Sequence, residues 1–120
     1  MIDHIGFEVS DLQRSARFYD AVFFALGARR MHSTEHAIAY GYDGPLVWIV
    51  VRGRVPAGGY GHMALRASGK AAVDAAHAAG LANGGSDEGA PGARPQYGNG
   101  CYAAYLRDPD GLRVEFVSRR

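Results

Sequence analysis

HIGFEVS at residues 4–10 and HMALRAS at residues 62–68 decide the fold, because they are two versions of one strand. The histidines align at an offset of 58, followed by Phe7 with Leu65, Val9 with Ala67 and Ser10 with Ser68. Apolar residues alternate in both, the period of a strand with one buried face. A helix-like stretch follows each. After the first, Leu12, Ala16, Tyr19, Phe23 and Leu26 recur at helical spacing until Gly27. Ser10 or Asp11 can cap its start, and Ser10 with Gln13 predicts a capping box. After the second, an alanine-rich helix is predicted from Lys70 to Ala79, stopping at Gly80.

The two halves also end alike. YDGPLVWIVV (42–51) matches PDGLRVEFVS (109–118) at an offset of 67, each with Asp-Gly in a tight turn before an apolar strand. MHSTEHAIAYGY in the first half and CYAAYLRD in the second leave room for further short strands. Each half therefore reads as β-α-β-β-β. The fold class is α+β, a single domain of two modules at about 1–54 and 59–120. The stretch from Asn83 to Gly100 holds six glycines and two prolines, and most of it reads as a mobile loop with at most a short strand at its start.

Bulk properties narrow the function. The 120 residues suffice for one domain, and a chain of this size buries roughly two-thirds of its unfolded surface. A site in it would sit in an open cleft or at a subunit interface. Thirteen basic and twelve acidic residues nearly cancel, with no basic stripe, which argues against nucleic acid and anionic membrane as partners. The single Cys101 can form no internal disulfide and fits a reducing compartment. The N-terminus MIDHIGFEVSD has no signal-like segment, and no apolar run approaches the roughly 18 residues of a membrane span. The expected location is the cytoplasm.

Strand alternation then selects three residues. Ile5, Phe7 and Val9 must pack under a helix, which turns His4, Gly6 and Glu8 to the other face. Met63, Leu65 and Ala67 do the same for His62, Ala64 and Arg66. Val114 and Phe116 turn Arg113, Glu115 and Val117 outward. Asp108-Pro109-Asp110-Gly111 suits a type I turn with Gly111 in a left-handed bulge position. Such a loop pairs Asp108 with Leu112, Arg107 with Arg113 and Tyr105 with Glu115, so Tyr105 joins the same face. His4, His62 and Glu115 thus gather as two imidazoles and a carboxylate, a set that suits Fe, Mn, Zn, Ni or Co and leaves coordination positions open.

HIGFEVSDLQRSARFY, GHMAL and above all YLRDPDGLRVEF resemble the vicinal oxygen chelate superfamily over nearly the whole chain. That superfamily includes glyoxalase I, bleomycin resistance proteins, fosfomycin resistance transferases and extradiol dioxygenases. The resemblance implies paired modules forming a cup-shaped mixed sheet around a divalent metal ion. It also implies a homodimer in which His4 of one chain joins His62 and Glu115 of the other. The family's ligand positions fall on His4, Trp48, His62 and Glu115. Glyoxalase I carries a carboxylate where this chain has Trp48, and indole can neither ligate nor act as a base. The resemblance therefore points away from glyoxalase I chemistry proper and toward a His-His-Glu set.

Individually, His4 and His62 read equally well as half-buried strand histidines, and Glu115 as a surface carboxylate paired with Arg113. Trp48 and Tyr105 are core aromatics or substrate-binding cleft walls. Arg113 and Arg66 are candidates to attract an anionic group, and Arg66 and Glu8 alternatively pair at the rim. His77 reads as a helix-surface residue, His32 and His36 as polar residues on short strands, and Cys101 as a small buried residue. Two functions follow: a metal-dependent lyase- or dioxygenase-like enzyme acting on a small oxygen-rich metabolite, or a non-catalytic bleomycin-resistance-type protein that binds a drug or metabolite in the same cleft. A third is an inactive member with remnant histidines.

Overall fold

The structure, a computed structural model, describes residues 1–57 and 61–120. The expected start of the second module at residue 59 lies outside them. The first half runs β1 (Ile5–Glu8), α1 (Leu12–Ala25), β2 (Arg29–Ser33), β3 (Ala37–Gly41) and β4 (Pro45–Val50). The second runs β5 (His62–Arg66), α2 (Lys70–Ala82), β6 (Ser86–Ala93), a 3-10 turn at Pro95–Tyr97, β7 (Tyr102–Arg107) and β8 (Arg113–Ser118). The strands form two four-stranded sheets, ordered β1-β4-β3-β2 and β5-β8-β7-β6. β1 pairs with β4 and β5 with β8 in parallel; the other neighbours are antiparallel.

The repeat holds at single-residue register. Gly6 lies opposite Trp48 in the first sheet, and Ala64 lies opposite Glu115 in the second. The turn chemistry fixed β7 against β8 as expected: Gly111 has φ +90°, the Asp108 amide donates to Leu112 O at 2.8 Å, and Tyr105 faces Glu115.

One apolar core joins the halves. Phe18, Tyr19 and Val22 of α1 pack with Val73 and Ala76 of α2, and with Ile38, Leu106, Val114 and Phe116 of the sheets. Each of the Val, Ile, Leu and Phe side chains contributes roughly 1.5–3 kcal/mol on full burial. The helices meet at Gly80, where a Cβ would overlap Leu106 and come within 3.1 Å of Phe18 and Val22. Polar contacts add a second tie between the halves. The Asp110 carboxylate accepts from Ser10 N at 3.1 Å, Ser10 Oγ at 2.5 Å and Arg14 Nη2 at 3.0 Å, at the start of α1. Tyr19 Oη donates to Asp108 Oδ2 at 2.6 Å.

Several expectations need correction. Asp11 alone caps α1, accepting from Arg14 N at 3.0 Å, and Ser10 turns to Asp110 rather than forming a capping box with Gln13. Gly80 does not stop α2, which continues to Ala82, because that glycine is needed where the helices cross. The stretch after Asn83 holds an eight-residue strand, β6, in place of a loop; two register irregularities let Gly89 and Gly92 follow β7. His77 is buried, with Nε2 at 2.9 Å from Asp87 Oδ1, so it belongs to the α2–β6 contact and not to the surface. That bond holds the Asp87 carboxyl below its ordinary value. His36 sits in the turn before β3, beside Glu35. Glu8 pairs with Arg54, at 2.9 Å to Nε, and not with Arg66.

Candidate functional site

The candidate site is built on β5 and β8. Their parallel register places His62 beside Arg113 and Ala64 beside Glu115 on one face. Met63 and Leu65 hold β5 down through the opposite face, where they are buried. His62 Nε2 reaches Glu115 Oε1 at 3.1 Å. Glu115 is 9% exposed, so the surface ion pair with Arg113 is replaced by a buried carboxylate facing an imidazole. Either a neutral Nε2–H or an imidazolium can donate to that oxygen.

Tyr105 stands next to Glu115 from β7, 8% exposed, with its ring edge-on to His62 at 6.4 Å. Burial, and then the Glu115 charge, push its phenol above the ordinary tyrosine value. Arg113 stacks over the same ring, its guanidinium carbon 4.2 Å from the centroid. Arg66 ends β5 on this face and is exposed. Sequence reasoning missed Arg94, which folds back from the end of β6 until its guanidinium carbon is 5.9 Å from the Tyr105 ring. The signal was present in the glycines: a Cβ at Gly92 would come within 2.9 Å of Arg94 Nη1.

On the first sheet, Gly6, Trp48, Ala39 and His32 line up across the ladder. Trp48 is half-buried and its indole lies 5.3 Å from the His32 ring. His4 precedes β1 on this sheet, largely exposed, with Nδ1 at 2.6 Å from Asp3 Oδ1. The structure therefore brings His62, Glu115, Tyr105 and Arg113 together, and it leaves His4 and Trp48 on the other sheet. Among the described residues of one chain, no three His, Cys, Asp or Glu side chains gather as a metal site. Cys101 is buried beside the start of β7.

The donor chemistry of the His62–Glu115 pair fits a divalent ion. Ligand bonds of about 2.0–2.2 Å at right angles set neighbouring donors about 3 Å apart, close to the observed nitrogen–oxygen separation. Two donors do not complete a site, so a third must come from outside this set.

The sequence profile of the Glyoxalase/Bleomycin resistance protein/Dioxygenase superfamily matches residues 1–116. The chain belongs to this superfamily. Its members generally use divalent metals, bind small molecules and often form dimers. A glyoxalase/bleomycin resistance protein from Albidiferax ferrireducens superimposes with TM-score 0.82 at 34% identity, over 95% of this chain and 94% of that one. A fosfomycin resistance protein from Mesorhizobium loti gives 0.71 at 20% identity, over 98% and 91%. A glyoxalase I variant from Zea mays gives 0.69 at 24%, over 97% of this chain and 45% of that one. The last two likenesses speak for the fold. No curated protein matches the chain significantly by sequence. Among the described residues, no helix is long and apolar enough to cross a membrane.

Proposed function

We propose that the chain is a small metal-dependent enzyme of this superfamily, acting by lyase- or dioxygenase-like chemistry on a small oxygen-rich metabolite in the cytoplasm. The observation that carries the reading is the buried Glu115 within 3.1 Å of His62, on a face walled by Tyr105 and Arg113. His62 and Glu115 of one chain, with His4 of a second copy, would hold a divalent ion such as Fe, Mn, Zn, Ni or Co. A homodimer with shared sites is the natural source of that third donor, because His4 belongs to the other sheet of its own chain. The ion supplies Lewis acidity to a substrate oxygen. The chain's own residues do the rest. Tyr105 and Trp48 shape the pocket and exclude water, while Arg113 or Arg66 draws an anionic group toward the face. The adjoining Trp48 and His32 rings, tilted 53° to each other, favour a second reading, a bleomycin-resistance-type protein that binds a drug or metabolite without catalysis.

Metal analysis of untagged protein, with His4→Ala and Glu115→Ala alongside, tests the proposal. About one equivalent per chain, lost in both variants, is expected. Metal-free protein that no added ion stabilises would leave the binding-only reading. Sedimentation should show a dimer; a stable monomer would remove His4 from the ligand set.

A further inference from the structure

We infer that Arg113 and Arg94 form an oxyanion subsite on the Tyr105 ring, which holds the carboxylate or phosphoryl end of the molecule bound beside His62 and Glu115. The inference deepens the proposed function and rests on its placement of the site on this sheet face.

Arg113 lies directly across from His62 and two residues before Glu115, on the same face. The residue is half-buried, and among the described residues its side chain makes no hydrogen bond or ion pair. The carboxylate nearest in sequence, Glu115, is turned to His62 instead. Arg14, Arg30, Arg54 and Arg107 each hold a carboxylate within 3.0 Å, and Arg29 and Arg66, which like Arg113 hold none, are exposed; Arg113 is set apart by being half-buried against an aromatic ring without an anionic partner among the described residues. Arg94 is also half-buried and also lacks a carboxylate among the described residues. Two of its nitrogens donate to the carbonyls of Ala90 at 2.9 Å and Ala93 at 3.4 Å, which pin the side chain back over Gly92.

The two cations reach one ring from opposite neighbours of β7, Arg113 from β8 and Arg94 from beyond β6. Stacking uses the flat face of the Arg113 guanidinium and leaves its N–H donors in the plane, free for bidentate contact with an oxyanion, while Arg94 offers the N–H groups that its two carbonyl contacts do not use. The glycines make the arrangement specific. Gly89 lies against Tyr105, and Gly92 gives Arg94 its path, so β6 gives up side chains where the second cation must fold over.

Calorimetric titration of the full chain with inorganic phosphate and with benzoate tests the subsite, with the protein as purified and again after dialysis against EDTA. Saturable binding of at least one anion is expected to survive EDTA. Arg113→Gln and Arg94→Gln should each weaken it about tenfold or more, the loss of a charge-assisted hydrogen bond. Gly92→Val should weaken it as well without changing any charge, and Arg29→Gln, remote and exposed, should not. Circular dichroism checks that each variant is folded, and Arg94→Lys replaces any Arg94→Gln protein that is not. Phosphate alone or benzoate alone assigns the anion's chemistry. Binding that is absent for both, or unmoved by the arginine variants, overturns the inference. Glu115→Gln separates the two proposals: it should abolish metal uptake and leave anion binding in EDTA intact, so failure of the metal reading does not mimic failure of this one.

Discussion

Asp108 shows how much one residue of the turn before β8 carries. Burial pushes its carboxyl above the ordinary carboxylate range, although Tyr19 and the amides of Leu112 and Asp110 hydrogen-bond the ion. A raised value means that the folded state holds the proton more tightly than the unfolded chain does. The stability this contributes is fully present below about pH 4, the unfolded carboxylate range, and is lost as pH rises through the folded value. Asp108→Asn removes the titration and keeps an acceptor for the turn amides. The variant's urea midpoint, relative to the native chain, should therefore fall as pH is lowered from neutrality to about pH 4. A pH-independent difference would mean that Asp108 titrates like an exposed acid. The Asp-Pro-Asp-Gly turn was legible residue by residue, but neither Tyr19 nor Ser10 could be read as its distant partner, because nothing local marks a contact across some 90 to 100 residues.

Among the elements, β7 and β8 were legible down to the pairing of Tyr105 with Glu115, since a two-residue period and a defined turn leave one register. β6 was not. Its two glycines and Pro91 carry the composition of a loop, and its pairing comes from backbone supplied by β7 rather than from side-chain periodicity. His77 was misread for the same reason: its partner Asp87 lies on that hidden strand. The end of α2 was misplaced because a glycine kept for close packing looks, in sequence, like a glycine kept for a stop. Gly80→Ala tests this. Alanine is favoured in helices by about 1 kcal/mol, yet an overpacked contact with Leu106, Phe18 and Val22 costs about 1–3 kcal/mol. Thermal unfolding should show a net loss of stability. A gain would mean that the helices separate cheaply.

At the scale of the whole molecule, the core and the Asp110 contact join two modules whose sheets, among the described residues, share no hydrogen-bonded strand. Asp110→Ala strips the partner from Ser10 N and Ser10 Oγ and leaves Arg14 only the Ser10 hydroxyl, and it should lower stability by about 2 kcal/mol in chemical denaturation. Fragments 1–57 and 61–120, expressed together, should elute as one species, and the same substitution should loosen them. Fragments that elute separately would show that the linker holds the halves in place. The register that sets Gly6 with Trp48 and Ala64 with Glu115 then has a consequence for descent. An assembly of two copies of one module must carry the same residue at both places, so a change at either alters both sites at once. Joining the copies in a single gene frees each to drift alone: one keeps the acid, and the other is at liberty to become an indole.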